Sequence, residues 1–323
     1  MAGQVYCIGE LLIDFICTDG TGDLSRGEHF LKKAGGAPAN VAATLSRLGT
    51  PAWFAGKVGA DPFGDFLERT LKDYGVETSQ LIRDPHHGTT LAFVSLTPDG
   101  ERDFLFQRGA DAWLTEAELD EAVPAACDLV HFGSATALLG GATRTTYLNL
   151  LKRCKGTRFV SFDPNWRSDL WRGREADFIR EMLDLLPEVD LLKVSDSELE
   201  LLCGPMNREE AVRSLHERGV GIIAVTLGSA GTYLSNGQQS ATVSSIPVQT
   251  VDSTGAGDAF VGAFLSKVAA LEDRTNLRSD FDKLVEITKF ANRIGALVCT
   301  RMGAMEAIPA KAEAESVDVT SFS

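Results

Sequence analysis

Positive charge is scarce in this sequence: 31 Lys and Arg stand against 45 Asp and Glu, a formal net charge of -14 over 323 residues. Such a surface repels nucleic acid and anionic membranes. A small anionic ligand remains possible where local cations, helix N-termini or a metal overcome the background field. Long apolar runs are also missing, and nothing is long enough to cross a bilayer. The first residues lack a basic start, an apolar stretch and a small-residue cleavage site, so no signal peptide is expected. Cysteine is sparse and scattered (Cys7, Cys17, Cys127, Cys154, Cys203, Cys299), with no C-x-x-C pair. This pattern lacks zinc-ligand spacing and reads as reduced, mostly buried thiols of a cytoplasmic protein. Neither G-x-x-x-x-G-K-[ST] nor G-x-G-x-x-G occurs, which argues against P-loop nucleotide sites and ordinary dinucleotide sites.

What is present is a repeating rhythm. With 44% hydrophobic residues the chain can bury a large core, in one domain or two. Val5–Ile8, Ala52–Val58, Leu129–Phe132, Phe159–Phe162, Leu191–Val194 and Ile222–Thr226 read as strands. Ala39–Leu48, Pro62–Tyr74, Ala176–Leu186 and Arg208–Arg218 read as helices. Strands alternating with helices predict an α/β fold with a parallel sheet covered on both faces. Two segments break the rhythm: Thr89–Thr97 and Arg102–Gln107 alternate like strands around Pro98-Asp99-Gly100-Glu101, a hairpin signal. His29–Lys33 fits a third strand of the same small sheet, which suggests either a lid or an edge hairpin without a role. The expected division is a core of 1–13, 34–88 and 112–309, a β lid of 14–33 and 89–111, and a flexible Ala-, Glu- and Ser-rich tail from 310 to 323. The lid's apolar Leu91, Phe93 and Val94 could pair edge to edge with a second copy, giving a homodimer.

Two segments carry chemistry. In Val251-Asp252-Ser253-Thr254-Gly255-Ala256-Gly257-Asp258-Ala259-Phe260, a β-rich run (Ile246–Val251) leads into a glycine turn. A helix follows with Phe260, Val261, Phe264, Leu265 and Val268 on one stripe. The small residues Gly255, Ala256 and Gly257 let backbone N–H groups converge at a helix start, where they bind phosphate or stabilise developing charge. Asp258, in the first turn, is placed to accept a proton from a hydroxyl. The same pattern also fits a capped turn with Asp258 merely opening a helix. In Ala34-Gly35-Gly36-Ala37-Pro38-Ala39-Asn40-Val41-Ala42, paired glycines permit close backbone approach, Pro38 starts a helix, and Asn40 can both donate to and accept from a polyol. Alone, it reads as a tight turn.

Gly35–Ala42 and Asp252–Phe264 resemble the two signature regions of the ribokinase/PfkB carbohydrate kinases, in the right order. Gly9–Phe15 is similar to that family's opening strand with its sugar-binding aspartate. Ser195-Asp196-Ser197-Glu198 is similar to its N-x-x-E motif, with serine in place of asparagine. Thr226–Gly231 resembles its nucleotide loop and Thr300–Ala304 its closing segment. The resemblance covers about residues 4–309. It implies a Rossmann-like parallel-sheet sandwich (ribokinase-like) with a small β-sheet lid. It also implies an ATP-dependent sugar kinase with Asp258 as base and Gly255, Ala256 and Gly257 at the oxyanion position.

Carried onto this sequence, the resemblance places Asp14, Gly35, Gly36, Asn40, Phe106, Arg108 and Arg167 at the sugar. It places Lys193, Ser195, Glu198, Thr226, Gly228, Gly231, Gly257 and Asn292 at ATP. Glu198 would order water around Mg²⁺, and Asp252, Thr254, Val298, Arg301 and Gly303 would line a K⁺ site. Arg167, after a strand, could instead meet the transferred phosphate, with a structural salt bridge as the rival reading, and for Lys193 the rival is a side chain snorkelling from a strand end. His86 and His87 read as solvated, and Glu116–Glu121 as a helix face. Asp163–Arg167 and Phe106–Asp111 look closest to fructokinases. Aminoimidazole riboside, ribose and 2-keto-3-deoxygluconate are the rival acceptors, and a catalytically silent binding module is the rival of another class.

Overall fold

The computed structural model describes residues 3–20, 22–96, 102–119 and 123–316. In chain order its strands are β1 (Gln4–Ile8), β2 (Leu12–Cys17), β3 (Phe30–Gly35), β4 (Ala52–Gly59), β5 (Leu81–Asp84), β6 (Leu91–Leu96), β7 (Arg102–Gln107), β8 (Cys127–Phe132), β9 (Phe159–Phe162), β10 (Leu191–Ser195), β11 (Ile222–Thr226), β12 (Thr232–Ser235) and β13 (Ser240–Val243). Nine of them form one sheet in the order β13-β12-β11-β10-β9-β8-β1-β4-β5. From β5 to β11 neighbours run parallel, and β12 and β13 close one edge antiparallel. The parallel strands are apolar on both faces because both faces are covered. Val5 and Cys7 of β1 enter one core cluster, and Tyr6 and Ile8 enter the other. Ile222 and Ala224 of β11 part from Ile223 and Val225 in the same way.

One face is covered by the helices Ala37–Arg47, Ala256–Ala269 and Phe281–Val298, which pack on one another. The middle one is buried all along its length, from Ala259 to Ala269 apart from Lys267. Its approach to Ala37–Arg47 is so close that a Cβ on Gly262 would lie 2.6 Å from Thr44 Cβ. This contact holds the middles of the two helices, each opened by glycine, closely together.

The remaining four strands form a separate sheet, ordered β3-β2-β6-β7, which is the lid. β2 is a strand that the sequence pattern did not single out, because its polar Asp14 interrupts the apolar run. β3 pairs with it from Leu12↔Gly35 to Cys17↔Phe30, so the first glycine of the Gly35-Gly36 pair is itself a lid residue. The edge-pairing expectation for Leu91, Phe93 and Val94 needs correction: β6 is bonded to β2 on one side and β7 on the other, leaving β3 and β7 as the edges. Phe93 stacks on Phe15 at 5.1 Å instead.

Two other expectations also change. Residues 244–250 form no strand, although Ile246–Val251 is β-rich. Pro247 lacks an N–H, and the chain anchors by single bonds from the Val251 and Asp252 amides to Cys299 O. The tail is not frayed from residue 310, because Lys311–Ser316 is a helix with Ala314 buried and Glu313 paired to Arg301. Residues 317–323 and the turn Pro98-Asp99-Gly100-Glu101 lie outside the described residues, as does the end of the acidic run at Glu121. Among the described residues of that run only Glu116–Glu118 is helical, a single 3-10 turn, and Glu118 binds the buried Lys57 at 2.7 Å. His87 is held by Asp84 at 3.0 Å and stacks on Trp113. Among the described residues no helix is long and apolar enough to cross a membrane.

Candidate active site

Strands β1, β9, β10 and β11 run parallel, so their carboxyl ends open onto one edge of the sheet, where α/β folds bind ligands. Glu10 follows β1, Asp163–Arg167 follow β9, Ser195 ends β10 and Thr226 ends β11. The helix Ala256–Ala269 begins at the same place. Gly255 caps it in the left-handed region, with φ 76°, and a Cβ there would lie 2.7 Å from Ala304 Cβ. The Gly257 and Asp258 amides sit in the first turn, which has no intrahelical acceptors.

Asp258 meets Asn40 across 218 residues of sequence: Asn40 Nδ2 donates to Asp258 Oδ2 at 2.8 Å. That is the carboxylate's only hydrogen bond among the described residues, so Oδ1 stays available. Burial raises the Asp258 carboxyl above the usual aspartate range, against the pull of Asn40, Lys193 and Arg167. Among the described residues Asn40 Oδ1 is buried with no partner. An orphaned acceptor of this kind is open to a donor from outside the protein, such as water or a ligand hydroxyl.

Asp14 lies on the lid side. A Cβ on Gly35 would fall 2.0 Å from Asp14 Oδ2, so the glycine makes the space the carboxylate fills. Burial pushes the Asp14 carboxyl up to about 6, with Arg167 pulling down and Glu306 pushing up. Gly36 has φ 114°, and a Cβ there would meet Glu10 O at 2.3 Å. Arg167 is exposed, and among the described residues its side chain donates only to its neighbour's carbonyl, Trp166 O, at 2.9 Å. Its charge lowers the carboxyls of both Asp14 and Asp258.

Lys193 does not snorkel. It is buried, and its Nζ sits 2.9 Å from Asp163 Oδ2. It also lies beside the helix start, 3.0 Å from where a Gly257 Cβ would stand. Burial works against its ammonium, but Asp163, Glu198 and Asp258 outweigh it and hold the lysine above its ordinary value. Asp163 gained no role from sequence, because its partner lies 30 residues away on the next strand. Ser195 and Glu198 form a capping box on the helix Asp196–Cys203. Glu198 Oε2 accepts from the Ser195 amide at 2.7 Å and hydroxyl at 2.9 Å, and Oε1 from the Trp166 amide at 2.7 Å. Burial would raise Glu198, yet Lys193 and these amides hold it below the usual carboxylate range. Trp166 is presented by Asn165, which adopts φ 50°, a conformation asparagine tolerates.

Ser195, Thr226 and Gly228 line an open cleft of about 760 Å³ together with Arg208. Gly231, just before β12, lies against the end of β13, where a Cβ would meet Val243 O at 2.1 Å. Asp252 staples the glycine turn to the chain end. Its Oδ1 accepts from the Thr254 amide and hydroxyl at 2.9 and 2.7 Å, and its Oδ2 from the Gly303 amide at 2.9 Å. Val298 ends the helix Phe281–Val298, and the Arg301 side chain turns out to Glu313.

Three expected ligand residues have other partners. Arg108 gives its guanidinium to Asp111 (3.3 Å), Gly140 O (3.1 Å) and Thr136 O (2.8 Å), which fixes the end of β7 instead of leaving the fork free for sugar. Asn292 is engaged at both ends: it donates to Val243 O at 2.8 Å and Ser244 O at 3.3 Å and accepts from Thr232 Oγ1 at 2.6 Å, bracing the β12–β13 edge. Phe106 stacks on Phe104 within the lid.

Comparison with known proteins places this geometry. Residues 2–311 match the pfkB family carbohydrate kinase. Fructokinase-1 of Zea mays is 41% identical over 96% of this chain and 95% of its own. The fructokinase of Xylella fastidiosa with bound ATP superposes with a TM-score of 0.88 at 31% identity, covering 98% of each chain. A double mutant of the Vibrio cholerae O395 fructokinase, bound to fructose, ADP and a potassium ion, superposes with a TM-score of 0.85 at 30% identity over 99% of this chain and 98% of that one. The edge of the sheet where Asn40 meets Asp258 is thus the edge of a phosphotransferase with an alcohol acceptor, and the chain belongs to the pfkB family of carbohydrate kinases.

Proposed function

We propose that this protein transfers the γ-phosphoryl group of ATP to a primary hydroxyl of D-fructose, with Asp258 as the general base. The observation that carries the reading is the Asn40–Asp258 contact, which joins the glycine loop facing the lid to the glycine turn of the buried helix. Fructose lies between Gly35–Asn40, Asp14 and the lid, and its hydroxyls satisfy Asn40 Oδ1 and Asp14. ATP lies along the cleft of Ser195, Thr226 and Gly228. The hydroxyl proton passes to Asp258 Oδ1, the new O–P bond forms in line, and the bond to ADP breaks. The Gly257 and Asp258 amides and the Lys193 ammonium face the charge that spreads over the transferred phosphoryl, where preorganised donors lower the barrier. Arg167 balances the two carboxylates that flank the sugar.

Glu198 would act near Mg²⁺ through ordered water, its carboxylate held in place by the Ser195 amide and hydroxyl and the Trp166 amide. The metal would supply charge neutralisation between the phosphates. For K⁺, the donors are the Asp252 carboxylate and the backbone carbonyls of Thr254, Val298, Arg301 and Gly303. These are hard oxygens suited to a weakly polarising cation and unsuited to a soft metal. The potassium ion in the Vibrio relative supports that assignment. K⁺ is expected to activate turnover over Na⁺ at fixed Mg²⁺ and ionic strength. Equal rates in K⁺, Na⁺ and a bulky organic cation would remove the site.

Gly35→Ala tests the sugar pocket. A methyl group 2.0 Å from Asp14 Oδ2 forces the carboxylate aside. A lost polar contact costs about 1–3 kcal/mol, roughly 5- to 150-fold in kcat/KM for the sugar. KM for ATP should stay near wild type, and an unchanged KM for sugar would take Asp14 out of the site.

The acceptor itself is tested by kcat/KM for fructose, ribose, aminoimidazole riboside and 2-keto-3-deoxygluconate. Two mismatched polar contacts at Asn40 and Asp14 predict a preference for fructose of roughly 30-fold to above 10⁴-fold. Another acceptor ahead by tenfold or more would overturn fructose while leaving the kinase in place.

A further inference from the structure

We propose that the Glu10 carboxylate is a positioning residue that couples the sugar-binding glycine loop to the hinge of the lid. This rests on the reading of Gly35–Asn40 as the sugar site. Glu10 is buried just after β1. Its Oε1 accepts from the Ala37 amide at 3.1 Å and from the Ala135 amide at 3.4 Å, and its Oε2 accepts from the Ser134 hydroxyl. The helix Ala37–Arg47 is capped by Gly36, which has no side chain to offer, so Glu10 supplies the cap from another segment. That helix carries Asn40 to Asp258. Gly9 shows how tightly the segments converge: a Cβ there would lie 2.7 Å from both Pro38 Cγ and Ser134 Cβ.

The second half of the link runs through residues 134–137 to the lid. Ser134 Oγ accepts from the Thr136 and Ala137 amides at 3.2 and 2.8 Å. Thr136 donates its hydroxyl to Asp111 at 2.7 Å and its carbonyl accepts from Arg108 at 2.8 Å. Asp111 also accepts from Thr90, whose hydroxyl holds the Gly109 amide at 2.9 Å. Thr90 precedes β6 and Arg108 follows β7, so these bonds fix the root of the lid hairpin. The guanidinium expected to touch sugar therefore serves this clamp.

The bonding admits one charge state. Every partner of the Glu10 carboxylate is a donor, and Ser134 Oγ already accepts two amides, so its proton has only Glu10 to go to. A protonated Glu10 would have to displace one of these donors. Asp111, paired with Arg108, and the Tyr147 phenol are the titratable groups that face it. Burial raises the Glu10 carboxyl to about 7 from an ordinary 4.5, with Ser134 and the Ala37 amide pulling down and Asp111 pushing up. A raised carboxyl means the folded state binds the extra proton, so Glu10's contribution to stability falls as pH rises through this window. Sugar use moves the opposite way: it falls as pH drops through about 7.

The test follows kcat/KM for ATP and for the acceptor that ranks first in the panel, from below to above the Glu10 value, in wild type, Glu10→Gln and Ser134→Ala. Glu10→Gln is expected to lower kcat/KM for sugar roughly tenfold, as for one charge-assisted bond, with KM for ATP unchanged and the upper acidic limb abolished. Ser134→Ala removes a bond that lowers the Glu10 value, so its limb should move to higher pH. This arm stands even if the glutamine variant fails to fold. A limb at the wild-type position in Ser134→Ala, or losses in ATP and sugar parameters that track thermal stability alone, would overturn the proposal. An acceptor other than fructose would overturn only the substrate assignment.

Discussion

Asp258→Asn is expected to lower kcat by roughly 10²–10⁴-fold, the usual worth of a general base, while ATP and sugar bind near their wild-type affinity. The substituted amide matches the carboxylate in shape and can still accept from Asn40, so the Asn40–Asp258 contact survives at little cost. What disappears is the lone pair that receives the hydroxyl proton. The pH profile gives an independent sign. Burial raises the Asp258 carboxyl, so wild-type turnover should fall with decreasing pH above the usual aspartate range. That limb should be absent from the residual activity of the variant. Turnover within a few-fold of wild type would remove Asp258 from the role.

Lys193→Met is expected to act on stability and on chemistry together. It leaves Asp163 buried without its counter-ion, and breaking such a pair costs about 3–5 kcal/mol. Denaturant unfolding would read this as a lower midpoint at unchanged slope. Adding Asp163→Asn removes the stranded charge, keeps an acceptor for the Asn165 amide, and should recover most of the stability. The double variant should not recover kcat, because the ammonium beside Gly257 is still missing. A single variant within about 1 kcal/mol of wild type would show that the pair carries little, since exposed pairs are worth that amount. Recovery of kcat in the double variant would show that Lys193 acts only through Asp163.

What the sequence revealed follows from which interactions are local. Ile222–Thr226 and Phe159–Phe162 are visible because buried parallel strands are short, uninterrupted apolar runs. Ile246–Val251 has the same look and forms no strand, because propensity without a pairing neighbour does not make a ladder. The glycine turn before Asp258 is legible since Gly255, Gly257 and the apolar stripe lie within one helix length. The meeting of Asp258 with Asn40 is not, being a contact over 218 positions. Arg108 and Asn292 were read as ligand residues from the family resemblance. In the fold their partners include the carbonyls of Thr136, Gly140 and Val243, which leave no trace in a sequence. Glu10 was hidden for the same reason, since two of its three partners are backbone amides.

The most direct measurement is a stoichiometric one. The protein is incubated with ATP, Mg²⁺, K⁺ and D-fructose, and phosphorus NMR follows ADP and any sugar phosphate in the same sample. The account predicts that ADP and a fructose phosphate ester on a primary carbon appear one for one, with ADP formation near zero when fructose is left out. ADP accumulating at the same rate with and without fructose, with phosphate released to water, would contradict it.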